Sequence, residues 1–372
     1  MTARGEPPRV GVDGDADRPP GMKLSAETRG LLRCPACQAH LAITDAECRC
    51  LDTGCALVFP VVDGVPVLIN EARSVFSIAD FQGRRATFFR TPGALETLVS
   101  RLLPEIDRNV KAEANYAAFA GLLGACGKRP RVLVVGGSTI GNGAERILST
   151  PSIEVVESDV VLGPRVAVIA DGHDLPFASG SFDGIIVQAV LEHVVDPYRC
   201  VEEIHRVLKP EGLVYAETPF MQQVHGGRYD FTRFTHLGHR RLFREFEEIS
   251  SGASGGPGMA LAWAYQYFLL SFVKSQGARK VVKAVARLTA FWLTFFDRYL
   301  IDRAGTLDAA AGYYFVGRKS ASVLPDRGLI QLYRGAGALL PARRMRAPSG
   351  VRPAPGAIGR APAATGRQHS GR

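Results

Sequence analysis

From residue 131 to residue 320 short β-branched runs alternate with helical stretches, and this alternation constrains the fold more than any other feature of the chain. Strands separated by crossover helices pair in parallel, so the pattern predicts an α/β, doubly wound, mostly parallel sheet. Strands are expected at Arg131–Val135, Ile153–Glu157, Val166–Ala170, Gly184–Gln188, Gly212–Glu217 and Tyr313–Gly317. A helix is expected from Pro197 to Leu208. Proline is tolerated in a first helical turn, and Lys209-Pro210-Glu211-Gly212 stops the helix.

The first strand runs straight into Gly136-Gly137-Ser138-Thr139-Ile140-Gly141-Asn142-Gly143, with a helix expected from about Ala144. Gly136 and Gly137 leave no side chain between the strand end and a ligand. About 20 residues further on, Asp159 stands near the end of the second strand, where a carboxylate can accept both hydroxyls of a ribose. After the third strand comes Ala170-Asp171-Gly172-His173-Asp174-Leu175-Pro176-Phe177, in which Asp171 can accept from an adenine amine. The fourth strand ends at Gln188, facing the same crevice. A dinucleotide enzyme is disfavoured, because the glycine spacing is not GxGxxG.

Read in order, the glycine turn, AD-x-x-DLPF, SFD, LEHV-x-D and EEIHRVLKPEGL resemble the class I S-adenosylmethionine (SAM)-dependent methyltransferases over about 90 residues. The resemblance implies a seven-stranded sheet and a SAM site. In that site Gly136 and Gly137 flank the methionine part and Asp159 holds the ribose. Asp171 and Gly172 lie at the adenine edge, and Gln188 sits near the sulfonium. The family often carries an acid two residues before the first glycine; here that position is Val134.

Five of the seven cysteines fall between Cys34 and Cys55. Clustered cysteines in a chain without a secretory h-region read as metal ligands before disulfides. Four soft ligands suit tetrahedral zinc, and Cys34, Cys37, Cys50 and Cys55 are the favoured four, with Cys48 spare. The stretch resembles the small zinc-ribbon activator subunits of methyltransferases. It shares CPxC and the run from Phe59 to Ile69, but four residues rather than two separate Cys50 from Cys55. A structural zinc is the expected role, since so small a ribbon has little core of its own.

After the fifth strand a loop concentrates His225, Arg228, Asp230, Arg233 and His236. His225 and Asp230 are the candidates for the base or acceptor-orienting groups. Arg228, Arg233 and His236 are candidates for binding the acceptor, and His193 reads as structural. A helical insertion, 257–303, is apolar through Met259–Val273 and Val281–Tyr299. It suits a cap over the site, a homodimer face, or a helix pair lying on a membrane, which would fit a sugar, glycan or lipid-linked acceptor.

The net charge of +9 suggests nucleic acid, but its location does not. Nine arginines and no Asp, Glu or Lys lie in 327–372, which leaves 36 basic and 36 acidic residues elsewhere. The expected organisation is a loose leader (1–28), a zinc ribbon (29–70), a helical connector (71–130), the catalytic domain (131–320) and a disordered basic tail (321–372). No uninterrupted apolar run of about 18 residues is present. The expected location is cytoplasmic, with peripheral contact at the inner membrane face through 259–299. A methyltransferase acting on an O or N atom is the leading reading. A non-catalytic scaffold of the same fold and an RNA methyltransferase are the alternatives.

Overall fold

The computed structural model describes residues 22–85, 87, 102–139 and 141–339. The leader up to residue 21 and the arginine tail from 340 lie outside the described residues.

The cysteine module contributes β1 (Leu41–Ile43), β2 (Glu47–Cys50), β3 (Val58–Val62) and β4 (Val65–Leu68). The main sheet contributes β5 (Arg131–Val135), β6 (Glu154–Asp159), β7 (Val168–Ala170), β8 (Phe182–Gln188), β9 (Leu208–Pro219), β10 (Phe246–Gly255) and β11 (Gly312–Lys319). Among helices, α1 is Ala26–Gly30, α2 Ile78–Gln82, α3 Ala112–Gly124, α4 Glu145–Leu148, α5 Pro197–Val207, α6 His236–Leu242, α7 Pro257–Leu270 and α8 Gln276–Ala290.

The seven main strands lie in the order β7-β6-β5-β8-β9-β11-β10. The first five are mutually parallel, and β11 runs antiparallel to both neighbours. The order reverses at β5, so a crevice opens over the carboxyl ends of β5 and β8, the usual ligand position in an open α/β sheet. Both faces are covered. On one, Tyr116, Phe119 and Leu123 of α3 pack on Val132, Ile186 and Tyr215. On the other, Cys200, Val201, Ile204 and Val207 of α5 pack with Leu133, Ile185 and Val214. Helix α5 starts as expected: Asp196 caps it by accepting from the Arg199 N–H at 3.2 Å, and Pro197 follows.

Several expectations are corrected. The helix stops where expected, but the strand expected from Gly212 already begins at Leu208, and Lys209–Gly212 form a bulge in it. Leu208 pairs with Phe182 and Leu213 with Gly184, and Glu211 between them has φ of 63°. β10 was not expected. Its Glu-Glu-Ile-Ser-Ser-Gly sequence lacks an apolar alternation because it is the sheet edge, held by backbone pairing to β11. The chain is also not loose up to residue 28. Ser25 caps α1, and the Ser25 and Thr28 hydroxyls both donate to Glu154 on β6, at 2.9 and 2.7 Å. Beyond 320 the chain still packs: Asp326–Gln331 is helical, and Arg334 reaches Glu248 and Ser251.

The ribbon is not a detached module. β4 pairs in parallel with β7, through Val67–Ile169 and Leu68–Ala170, so eleven strands form one sheet. Cys34, Cys48, Cys50 and Phe59 share a buried cluster with Leu175 and Phe177 of the main domain.

Candidate active site

The glycine turn is shaped by close approach. The N–H groups of Gly136 and Gly137 both donate to the Ser158 carbonyl on β6, at 2.9 and 3.1 Å. Gly136 has φ of 84°, and a Cβ there would collide with the Val190 side chain. A Cβ on Gly137 would lie 2.8 Å from Cβ of Glu157. A Cβ on Gly141 would strike the Gln188 amide. Beside this turn is a cavity of about 470 Å³. Gly136, Gly137, Asp159, Asp171, Gly172, Gln188 and His225 all line it.

The carboxylates are more occupied than their sequence positions suggest. Asp159 Oδ2 accepts from the Ser138 N–H at 2.8 Å, and Oδ1 accepts from Val160 and Val161. Three of its roughly four lone pairs are used, so one ribose hydroxyl is what it can take in this arrangement. Burial still pushes its pKa up, against those three N–H donors. Glu157, which the sequence reading passed over, lines the same cavity. It is the register partner of Val134 and lies beneath Gly137. Its Oε1 pairs with Arg165 at 3.0 Å, and its buried Oε2 has no hydrogen-bond partner. Asp171 is braced by the His173 N–H and ring and by Ser74. Burial works to raise its pKa, but the His173 and Ser74 donors hold it below the ordinary range. Ser74 comes from the chain leaving the ribbon, so that segment shapes the crevice directly.

At the sulfonium end Gln188 is held in a network. Tyr116 donates to its Oε1 at 2.8 Å, and its Nε2 donates to Glu217 at 2.9 Å. Glu217 also accepts from Asn109 and from the Tyr215 hydroxyl. The far end of the cavity is lined by Asp107, Glu192, His193, His225, Met259 and Trp263. Glu192 is fully buried, neither carboxylate oxygen makes a hydrogen bond, and burial pushes its pKa to about 8. Burial also raises Asp107 and lowers His193. Glu192 lies in the LEHV-x-D string but was given no role, and no local pattern marks Asp107; they meet only through the fold. His193, expected to be purely structural, faces the cavity with them.

Four loop candidates do not line the cavity. Asp230 is 1% exposed at its side chain and accepts from Arg233 and from the His225 and Gly226 N–H groups. Burial opposes its ionisation, but these donors hold its pKa well below the usual range, which makes it a poor base. Arg233 is spent on Asp230 and on the Gln222, Gln223 and Thr232 carbonyls. Arg228 stacks over Tyr229, with its guanidinium carbon 4.9 Å from the ring centroid. His236 opens α6 against Ser251 and Arg334, and burial pushes its pKa down to about 4. Asp230 and Arg233 satisfy each other and the loop backbone, which fixes His225 rather than presenting ligands.

In the ribbon the Sγ atoms of Cys34, Cys37, Cys50 and Cys55 all lie within 4.8 Å of one another. The Cys34–Cys55 and Cys37–Cys50 Sγ separations are 3.7 and 3.5 Å. These are too long for a disulfide and close to the ~3.8 Å edge of a tetrahedron with ~2.3 Å zinc–sulfur bonds. The donor set therefore fits zinc. Cys48 stands outside it, buried, with its thiol pushed up to about 11 by that burial.

Residues 148–216 match a family model described as a methyltransferase domain. The demethylmenaquinone methyltransferase of Paenarthrobacter aurescens is 41% identical over 76 residues, which cover 18% of this chain and 30% of that protein. The mitochondrial arginine-hydroxylase NDUFAF5 of Rattus norvegicus is 40% identical over 58 residues, covering 16% of each. The chain spans less than a third of the length of the curated relatives it matches. Among solved structures, a putative sarcosine dimethylglycine methyltransferase from Galdieria sulphuraria is similar with a TM-score of 0.38 and 15% identity, covering 57% of this chain and 86% of that one. The strand order and the bared glycine turn at the switch point agree with a class I methyltransferase fold, and within it residues 148–216 are similar to the methyltransferase domain.

Proposed function

We propose that this chain transfers a methyl group from SAM to an oxygen or nitrogen atom of an acceptor held on or near a membrane, with a hydroxyl of a sugar or lipid-linked intermediate as the favoured class. One observation carries the reading: a single cavity runs from the glycine turn, Asp159 and Asp171 to Glu192, His225 and Trp263. Donor and acceptor can therefore lie in one enclosure, as in-line transfer requires. SAM supplies an electrophilic methyl carbon on a sulfonium sulfur. Gly136 and Gly137 admit its methionine part, Asp159 and Glu157 face the ribose, and the braced Asp171 faces the adenine. Gln188 stands at the methionine end. His225 positions or deprotonates the acceptor.

The acceptor end holds Asp107, Glu192 and Glu217. Among the described residues no Lys or Arg lines that end of the cavity, so nothing there would pair with phosphates, which argues against an RNA substrate. A non-catalytic scaffold would have no use for a histidine locked over the crevice by Asp230. Replacing His225 by Ala is expected to lower turnover about tenfold or more with SAM affinity unchanged. Unchanged turnover with any accepted substrate removes His225 from the chemistry.

Membrane contact rests on helix α7. Its Met259 and Trp263 line the cavity, while Leu261, Tyr265 and Phe268 on the same helix are exposed. Tyr267 ties it to the acceptor loop by donating to the Val224 carbonyl at 2.6 Å. Among the described residues, 12 of the 26 exposed large apolar side chains fall between Leu261 and Leu300, with Lys274, Lys283 and Arg298 exposed nearby. No described helix is long and apolar enough to cross a membrane. The surface suits a helix pair lying on the anionic inner face of a membrane. Co-sedimentation with vesicles containing phosphatidylglycerol should retain the protein, and a Trp292→Glu/Phe296→Glu double variant should bind at least tenfold less. A concentration-dependent dimer that ignores vesicles would assign the patch to self-association instead.

A further inference from the structure

We propose that Glu192, His193 and His225 bind a divalent transition-metal ion at the acceptor end of the crevice, separate from the four-cysteine site. One ligand atom from each residue lies within 4.8 Å of the others. Nε2 of His193 and Nε2 of His225 approach the same Glu192 oxygen, at 3.7 and 3.8 Å. Those distances are too long for hydrogen bonds. They are close to the ~3.4 Å ligand–ligand edge around a tetrahedral ion with ~2.1 Å bonds.

The outer contacts set up the same atoms. Nδ1 of His193 meets the Tyr229 carbonyl at 2.7 Å, and Nδ1 of His225 meets the Gln223 carbonyl at 3.1 Å. A carbonyl only accepts, so each Nδ1 carries the hydrogen. Each Nε2 then presents a lone pair toward Glu192. Glu192 is fully buried and both its oxygens lack a hydrogen-bond partner. A buried carboxylate facing ring nitrogens needs a proton or a cation among them, and at 3.7 and 3.8 Å a shared proton is too far to bridge, whereas a metal ion would reach all three ligand atoms.

The loop is built to hold this arrangement. Asp230 fixes the His225 and Gly226 N–H groups. A Cβ on Gly226 would lie 2.5 Å from His193 Nδ1, so only glycine lets the loop close over that ring. Asp230, Arg233 and Gly226 are therefore positioning residues. Two imidazoles and one carboxylate suit zinc, manganese, cobalt or iron, and leave positions open toward the cavity that all three residues line. An oxygen of the acceptor would occupy an open position, which deepens the preceding reading by favouring hydroxyl acceptors and, with both ring nitrogens committed, gives His225 the positioning role rather than the base's. This clause of the inference rests on that reading; the ion site itself does not.

The test begins with metal analysis of the purified chain, so that a site already filled is counted. Mn²⁺ is then titrated while the free-ion electron paramagnetic resonance signal is followed, since a four-thiolate site selects against manganese. One Mn²⁺ site per chain is expected, or a second bound metal already present. Binding should weaken at least tenfold in Glu192→Gln and in His225→Ala, and be unchanged in His236→Asn. If the buried Glu192→Gln variant fails to fold, His225→Ala on the loop carries the comparison. A wild-type chain with only the ribbon's single ion and no Mn²⁺ binding overturns the proposal. SAM binding, measured separately by calorimetry, is independent. Metal without SAM would sink the methyl-transfer reading alone, and SAM without metal would sink the ion site alone.

Discussion

Gly136→Val is expected to weaken SAM binding by a factor of at least about 100, with the chain still folded. Three effects act together. Gly136 sits at φ of 84°, a conformation that costs a β-branched residue roughly 1–3 kcal/mol. Its first side-chain carbon would collide with Val190. The added methyls would also project where the ligand backbone approach is needed. A hundredfold loss corresponds to about 2.7 kcal/mol, within the reach of strain plus overpacking. Calorimetric titration reads the affinity directly. Gly277→Ala is the matched control: it lies in the first turn of α8 with nothing within 4 Å, and should leave binding intact. Equal affinities in wild type and Gly136→Val would mean that the glycine turn does not border the SAM site.

The second large effect is on stability. Cys50→Ser should remove about one bound zinc per chain relative to wild type and lower the melting temperature by about 10 °C or more. The size follows from how the ribbon is joined to the rest. β4 borders β7, and Cys34 and Cys50 lie in the cluster that also buries Leu175 and Phe177. Losing the metal therefore loosens one edge of the main sheet and the segment that carries Ser74 to Asp171. Cys48→Ala provides the contrast. It removes a buried thiol outside the four-sulfur group and should keep the wild-type zinc content. Loss of zinc in Cys48→Ala with retention in Cys50→Ser would reverse the ligand assignment.

The parallel core was legible because β5, β7 and β8 carry buried apolar runs and β6 carries the β-branched pair Val155-Val156, each bounded by glycine or acidic turns. Cys34, Cys37, Cys50 and Cys55 were legible for a similar reason: knuckle spacing is a local signal. β10 was hidden because an edge strand of Glu, Ser and Gly draws its stability from backbone pairing rather than from apolar alternation. The acceptor end was mostly hidden. Glu192 and His193 follow β8, Asp107 precedes α3, and His225 lies in the loop after β9, so their meeting is a property of the tertiary fold. Asp230 and Arg233 looked chemically active because the sequence shows charges but not their partners. The structure pairs them with each other and with the loop backbone.

A crystal structure of the full chain with S-adenosylhomocysteine is the decisive measurement. The adenosine should lie between the Asp159 and Asp171 carboxylates, with the amino-acid part laid over Gly136–Gly137 and the sulfur directed toward Gln188. A ligand bound elsewhere, or the same cavity left vacant at saturating concentration, contradicts the assignment of this cleft as the methyl-donor pocket.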